Sequence, residues 1–162
     1  MITNAKALFT ILDAQDIAYI CHHHPPTHHY DDHREIRDNI PGMHCKSLFL
    51  TDKEYYYMVC MRGELRLDLK KLQQNLQSKR LSFGKGEMMQ EILAVAPGSC
   101  TPYALVNDHG YRIHKVILDN TFETADSINF HPIENNATIR VSYNDFIKWL
   151  DFTGHQYISL EL

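Results

Sequence analysis

Lys46 stands in the stretch Ile40-Pro41-Gly42-Met43-His44-Cys45-Lys46-Ser47-Leu48-Phe49-Leu50, where a Pro-Gly turn feeds an apolar strand. A lysine near the start of such a strand can bury its stem and turn its ammonium to a cleft, or simply snorkel to water. As a compact point charge it suits a phosphate, a ribose or a developing oxyanion. A second candidate is the loop Pro97-Gly98-Ser99-Cys100-Thr101-Pro102. Gly98 permits tight backbone geometry, and small side chains leave amides open to an anion. The loop matches neither a P-loop nor a dinucleotide fingerprint. A third is His131, which follows the strand-like Ser127–Phe130 and precedes Pro132, so it sits where a strand opens into a loop. No serine-histidine-acid arrangement is recognisable, and Cys21, Cys45, Cys60 and Cys100 have no evident activating partner.

His22-His23-His24-Pro25-Pro26-Thr27-His28-His29 is the most unusual composition in the chain. His22/His24 or His28/His29 could bind a transition metal, but no spaced tetrahedral ligand set is present, and a polar loop rimming a cleft is the better reading. The cysteines form no C-x-x-C pair, which argues against a zinc ribbon or dithiol centre and for reduced thiols in a cytoplasmic protein. Net charge is −4, against a protein coated in nucleic acid. Residues 62 to 85 are nevertheless +5, leaving the remainder −9, and carry Lys70, Lys71, Lys79, Arg80 and Lys85. Such a patch would serve an end-on RNA contact; a solvated helix face is the alternative.

These residues need a scaffold. With 162 residues, the chain suits one domain spanning 1–162. No apolar run approaches 18 residues and no basic-then-apolar leader opens the sequence, so neither a membrane span nor secretion is expected. Periodicity predicts a helix over 3–16 capped by Thr3, a strand over 17–21, a short helix over 33–38, and a hairpin from the Lys46 strand to Tyr55–Met61. Asp68 should cap a helix through 77, Gly86 opens another, Tyr103–Val106 reads as a strand, and Ser142 and Gly154 bracket a last helix. The total is an α+β domain with a mixed, twisted sheet of seven or eight short strands and four or five helices.

Four blocks in order now carry a resemblance: the Ile40–Leu50 stretch; Arg80-Leu81-Ser82-Phe83; Pro97–Pro102 followed by Ala104-Leu105-Val106-Asn107-Asp108; and Asn129-Phe130-His131-Pro132 with Asn135 or Asn136, Ala137 and Thr138. The chain resembles the YbaK/prolyl-tRNA-synthetase-associated editing domains, and within them the freestanding ProX-type deacylases of alanine-charged tRNA for proline. The resemblance implies hydrolysis of an aminoacyl ester at the acceptor end of tRNA(Pro). Lys46 and the backbone of Gly98, Ser99, Cys100 and Thr101 would then be catalytic, with His131, Ser47, His28, Tyr30 and Pro102 binding substrate. It leaves the five basic residues above to meet RNA, prolyl-tRNA synthetase as a transient partner, and no metal or cofactor. A cytoplasmic monomer is expected. The family's usual Lys-Asn pair is Lys46-Ser47 here, which removes an amide and shortens the side chain. A deacylase for cysteine or serine charged on the same tRNA, an inactive aminoacyl-tRNA binder, a free amino acid binder and a metal-handling protein are the alternatives.

Overall fold

Alternating apolar residues along the middle of the chain build a mixed sheet with a core on each face. The computed structural model describes residues 1–26 and 34–162. Its strands are β1 (Tyr19–His23), β2 (Met43–Thr51), β3 (Tyr56–Arg62), β4 (Ser82–Phe83), β5 (Ile113–Asp119), β6 (Ile128–Phe130), β7 (Ala137–Val141) and β8 (Tyr157–Leu160). The helices are α1 (Ala5–Ala14), α2 (Arg34–Asn39), α3 (Leu69–Leu76), α4 (Gly86–Leu93) and α5 (Tyr143–Thr153). The strands form one sheet in the order β1-β7-β6-β2-β3-β5-β8, with β4 paired to the far half of β2. The mixed α+β architecture expected from the pattern is therefore present. Pairs β2/β6, β3/β5 and β5/β8 are parallel, while β2/β3, β6/β7 and β1/β7 are antiparallel.

β3 shows why its sequence is apolar throughout. Met58 and Cys60 enter the larger core, and Tyr57, Val59 and Met61 enter the smaller one with Leu50, Leu72 and Ile117. A strand buried on both faces needs no polar alternation. The larger core is aromatic at its centre: Phe130 stacks on Phe146 at 5.6 Å, and Phe122 meets both edge-on at 6.1 Å. Such offset and edge-on contacts match the ring quadrupoles.

Local signals place most helix ends. Asp68 caps α3 by accepting from the Lys70 and Lys71 amides, and Ser142 and Gly154 (φ +74°) bracket α5. Three expectations are corrected. Asn4, not Thr3, caps α1, its Oδ1 accepting from the Ala7 amide at 2.9 Å. The first strand runs on through His23 because His22 and His23 pair with Thr138 and Ala137. Tyr103–Val106 is not a strand but lies in a 3-10 turn over Pro102–Asn107. There Pro102 suits a helical first turn. Trp149 Nε1 donates to the Pro102 carbonyl at 2.9 Å, and Asn107 Nδ2 donates to the carbonyls of Ile2 and Leu93 at 2.8 Å. These tertiary bonds outweigh the β-propensity of the segment.

Gly42 fixes how β2 starts. Its φ is +106°, and a Cβ there would lie 2.1 Å from Ser127 Oγ. Gly42→Ala should therefore cost about 1–3 kcal/mol, read as a lower thermal midpoint. An unchanged midpoint would show that β2 does not need this close approach.

Candidate active site

β2 runs beside β6 for only two residue pairs, Met43 with Ile128 and His44 with Asn129. Beyond them β2 keeps its ladder with β3, while Phe130 pairs with Ile139 of β7. Parallel strands that part at their carboxyl ends leave a crevice, the usual ligand position in open sheets. Lys46 and His131 each lie two residues beyond the last pair, His44 with Asn129, where the two chains have separated. Two hydrogen bonds hold the start of this arrangement. Asn129 Nδ2 donates to the Pro41 carbonyl at 3.0 Å, and the His44 ring bonds the Ile40 carbonyl at 2.8 Å.

The Gly98–Pro102 loop reaches the same place. Thr101 Oγ1 donates to the His131 carbonyl at 2.8 Å, and the buried Pro102 is held by Trp149. Gly98 has φ +86° and open space where a side chain would be. The Ser99 amide is committed to the Ala96 carbonyl at 3.0 Å. Of the four backbone donors expected, Ser99 is thus committed within the loop, and Cys100 and Thr101 are buried.

The two histidines of the crevice are held towards neutrality. Burial lowers the His131 pKa, against the opposing pull of backbone bonds to Pro132 and Cys100. Burial also lowers that of His44; the Ile40 bond opposes it, and Arg37, His24 and His22 add to it. The thiols move the other way. Burial pushes Cys60 up to about 12 and raises Cys21, Cys45 and Cys100 above their ordinary value. A nucleophilic cysteine needs the opposite shift.

Alternation along β2 separates two neighbours that the sequence reading grouped. Lys46 shares a face with His44 and Leu48, whereas Ser47 lies opposite Cys60, its Oγ 3.8 Å from the Cys60 sulfur. Lys46 lines an open cleft of about 820 Å³ with Arg37, Glu64, Arg66, Leu69 and Phe83 among its walls. Arg37 and Phe83 went unnoticed as site residues because only tertiary structure brings them to Lys46. The expected RNA-binding residues Lys70, Lys71, Lys79, Arg80 and Lys85 are all exposed. Lys79 is paired with Glu54 at 2.6 Å, so its charge is partly offset. Lys70 and Lys71 sit in the first turn of α3, where positive charge opposes the helix dipole, so helix stability does not explain them. His28 and Tyr30 lie outside the described residues, as does His29 of the histidine-rich stretch. Among the described residues no three His, Cys, Asp or Glu side chains are grouped to hold a metal ion. Nor is any helix there long and apolar enough to cross a membrane.

Comparison with known proteins gives consistent likenesses. The aminoacyl-tRNA editing domain family matches residues 24–149, a span that includes Lys46, the Gly98 loop and His131. The chain is 28% identical to the prolyl-tRNA editing protein ProX of Acetoanaerobium sticklandii over 97% of its own length and 96% of that protein's. It is 31% identical to the prolyl-tRNA synthetase associated domain-containing protein 1 of Xenopus laevis, over 94% of each chain. A crystal structure assigned as a trans-editing enzyme for prolyl tRNA synthetase superposes with a TM-score of 0.75 at 18% identity, covering 100% of this chain and 99% of that one. At that identity the superposition speaks to the fold.

The half-buried rings of His44 and His131 predict a pH dependence. Because His44 and His131 have folded pKa values below the ordinary 6.5, the unfolded chain binds more protons just below that pH. Stability should therefore fall as pH drops below about 6.5. Asp52, Asp108 and Asp145 have lowered values through backbone and side-chain hydrogen bonds that outweigh their burial. Their contribution is present above about 3.9 and is lost as pH falls through the folded values. Denaturant midpoints should thus decline from about pH 7.5 to about pH 5.5, less steeply in His131→Gln. A midpoint that rises over this interval would contradict the burial of these rings.

Proposed function

The chain belongs to the aminoacyl-tRNA editing domain family, and from that membership we propose that it hydrolyses the ester of mischarged tRNA(Pro), with alanine as the amino acid removed. The observation that carries the reading is the meeting of the Gly98–Pro102 loop with His131 through Thr101, beside the strand that bears Lys46. The prolyl-tRNA relatives support proline tRNA as the carrier.

The chemistry is attack of water on the ester carbonyl, giving a tetrahedral intermediate that collapses to the free amino acid and the ribose hydroxyl. The amides of Gly98, Cys100 and Thr101 are the donors for the developing oxyanion. Fixed donors of this kind are worth roughly 3 kcal/mol each. No covalent enzyme intermediate is required, in keeping with raised thiol pKa values. The substrate's own ribose hydroxyl, beside the carbonyl it esterifies, positions the water. Lys46, with Arg37 and Arg66 in the same cleft, binds the phosphate of the terminal nucleotide. His131, half-buried with its Nδ1 2.6 Å from the Pro132 carbonyl and a second backbone bond to Cys100, shapes the wall of the pocket. Selection against proline is steric: the pocket admits the smaller side chain and excludes the ring, and each methylene so read is worth about 1–3 kcal/mol. RNA phosphates meet Lys70, Lys71, Arg80 and Lys85.

Deacylation of Ala-, Cys-, Ser- and Pro-tRNA(Pro) tests the reading. Loss of alanine is expected to be fastest, and Lys46→Ala should lower kcat/KM by about 10- to 150-fold, mainly through KM. A fall confined to kcat would move Lys46 from the phosphate to the oxyanion. Preference for cysteine or serine would change the substrate and keep the reaction. A folded protein that binds the RNA and hydrolyses no ester would be a binding module instead.

Salt dependence tests the docking surface separately. Neutralising Lys70, Lys71 and Arg80 together should flatten the slope of log affinity against log salt by about 2–3 units. An unchanged slope would remove these residues from the RNA path.

A further inference from the structure

Phe83, the last residue of the motif Arg80-Leu81-Ser82-Phe83, has no role in the hydrolysis just described, yet it is 64% exposed on the wall of the Lys46 cleft. Its backbone is held tightly. Phe83 pairs with Leu50 of β2, Ser82 pairs with Thr51, and the Gly84 amide donates to the Phe49 carbonyl at 2.9 Å. A Cβ on Gly84 would lie 2.3 Å from the Phe49 ring, so the chain passes as close to β2 as a glycine allows. A large apolar ring is thereby presented to solvent by a fixed strand, at a cost in unburied apolar surface.

The surroundings of the ring are cationic on two sides. Phe83 and Leu69 are shared walls of the Lys46 cleft and of a neighbouring cleft of about 670 Å³. Arg37, Lys46 and Arg66 line the first, with Glu64; Lys53, Arg80 and the Glu54-paired Lys79 line the second, with Asp52. The Asp52 carboxylate is already occupied, accepting from the Glu54 and Tyr55 amides at 2.9 and 2.7 Å and from the Tyr57 hydroxyl at 3.1 Å. An exposed aromatic ring between tracks of positive charge is the arrangement by which proteins hold single-stranded nucleic acid: the ring takes a base face, the cations take the backbone.

We propose that Phe83 is a stacking platform for one unpaired nucleobase at the 3′ end of the RNA whose ester the site cleaves. The proposal rests on the editing reading above. Opposite residues of an antiparallel pair share a face, so Phe83 shares the Lys46 face of β2. Its partner Leu50 is four residues from Lys46, about 13 Å along the strand. With the ester at the crevice, the terminal nucleotides extend across the cleft towards the ring. Every base has a π-face, so the contact positions the RNA end without reading its sequence.

The test uses the full chain and a hairpin RNA with an unpaired 3′ end carrying alanine through a non-hydrolysable amide, with binding followed by fluorescence anisotropy. Phe83→Ala should weaken binding by about 5- to 150-fold, and Phe83→Tyr should restore it. Removing the base of the stacked nucleotide should abolish the difference between wild type and Phe83→Ala, and moving the abasic site along the unpaired end identifies that nucleotide. Because the ring is exposed, the melting midpoint of Phe83→Ala should match wild type, which separates lost stacking from lost folding. Wild-type binding that Phe83→Ala leaves unchanged overturns the platform alone. A loss that persists at every abasic position also overturns it. Failure of the wild-type protein to bind the charged hairpin or to deacylate any tRNA overturns the editing reading and the platform with it.

Discussion

Two residue pairs decide where the site can lie. Met43 and His44 join β6, and then β2 leaves. The join depends on the close approach of the Pro41-Gly42 turn to Ser127 and Asn129, where the backbone of Gly42 leaves no room for a side chain. A longer pairing would close the gap that opens between Lys46 and His131. The Thr101 bond to the His131 carbonyl then draws the Gly98 loop to the same edge. The strand of Lys46, the strand of His131 and the Gly98 loop thus come from three separate parts of the chain, joined by the β2/β6 pairing and the Thr101 bond.

Much of the scaffold was legible because its signals are local. The β2/β3 hairpin, the Asp68 cap of α3, and the Ser142 and Gly154 brackets of α5 each follow from a few adjacent residues. The Pro102–Asn107 segment was not legible, because its conformation is decided by Trp149, Ile2 and Leu93, far away in sequence. The site divides the same way. The order of motifs picks out Lys46, the Gly98 loop and His131, but the bond from Thr101 to His131 and the short β2/β6 pairing are tertiary and had no local signal. Ser47 is instructive, since the needed signal was present: successive residues of a strand face opposite ways, so Lys46 and Ser47 could not both face one side of the sheet. Arg37 and Phe83 had no such signal.

The polar residues of the matching blocks fall into two physical classes. Asn107 and Asp108 are architectural. Asp108 accepts from the Arg112 and Ile113 amides and from the buried His155 ring, which ties the start of β5 to the end of α5. Buried polar groups bonded across elements in this way favour one arrangement of the chain. Lys46 and the basic face from α3 to β4 are different, because folding does not explain them. Lysines at the positive end of α3 do not improve stability.

The same register has a kinetic side. His44 and Asn129 are separated by 85 positions, and β3 finds its parallel partner β5 only after the whole stretch from α3 to the 3-10 turn has intervened. Contacts of such long range require loop closure before they return any energy, so this topology folds slowly relative to helical domains of similar size. During synthesis the β2/β3 hairpin emerges long before β6, and its β6-facing edge waits unpaired. The crevice comes into being only when residues near 131 have left the ribosome. Until then Lys46 belongs to a hairpin with an open edge, and a nascent chain can present the lysine without presenting the site.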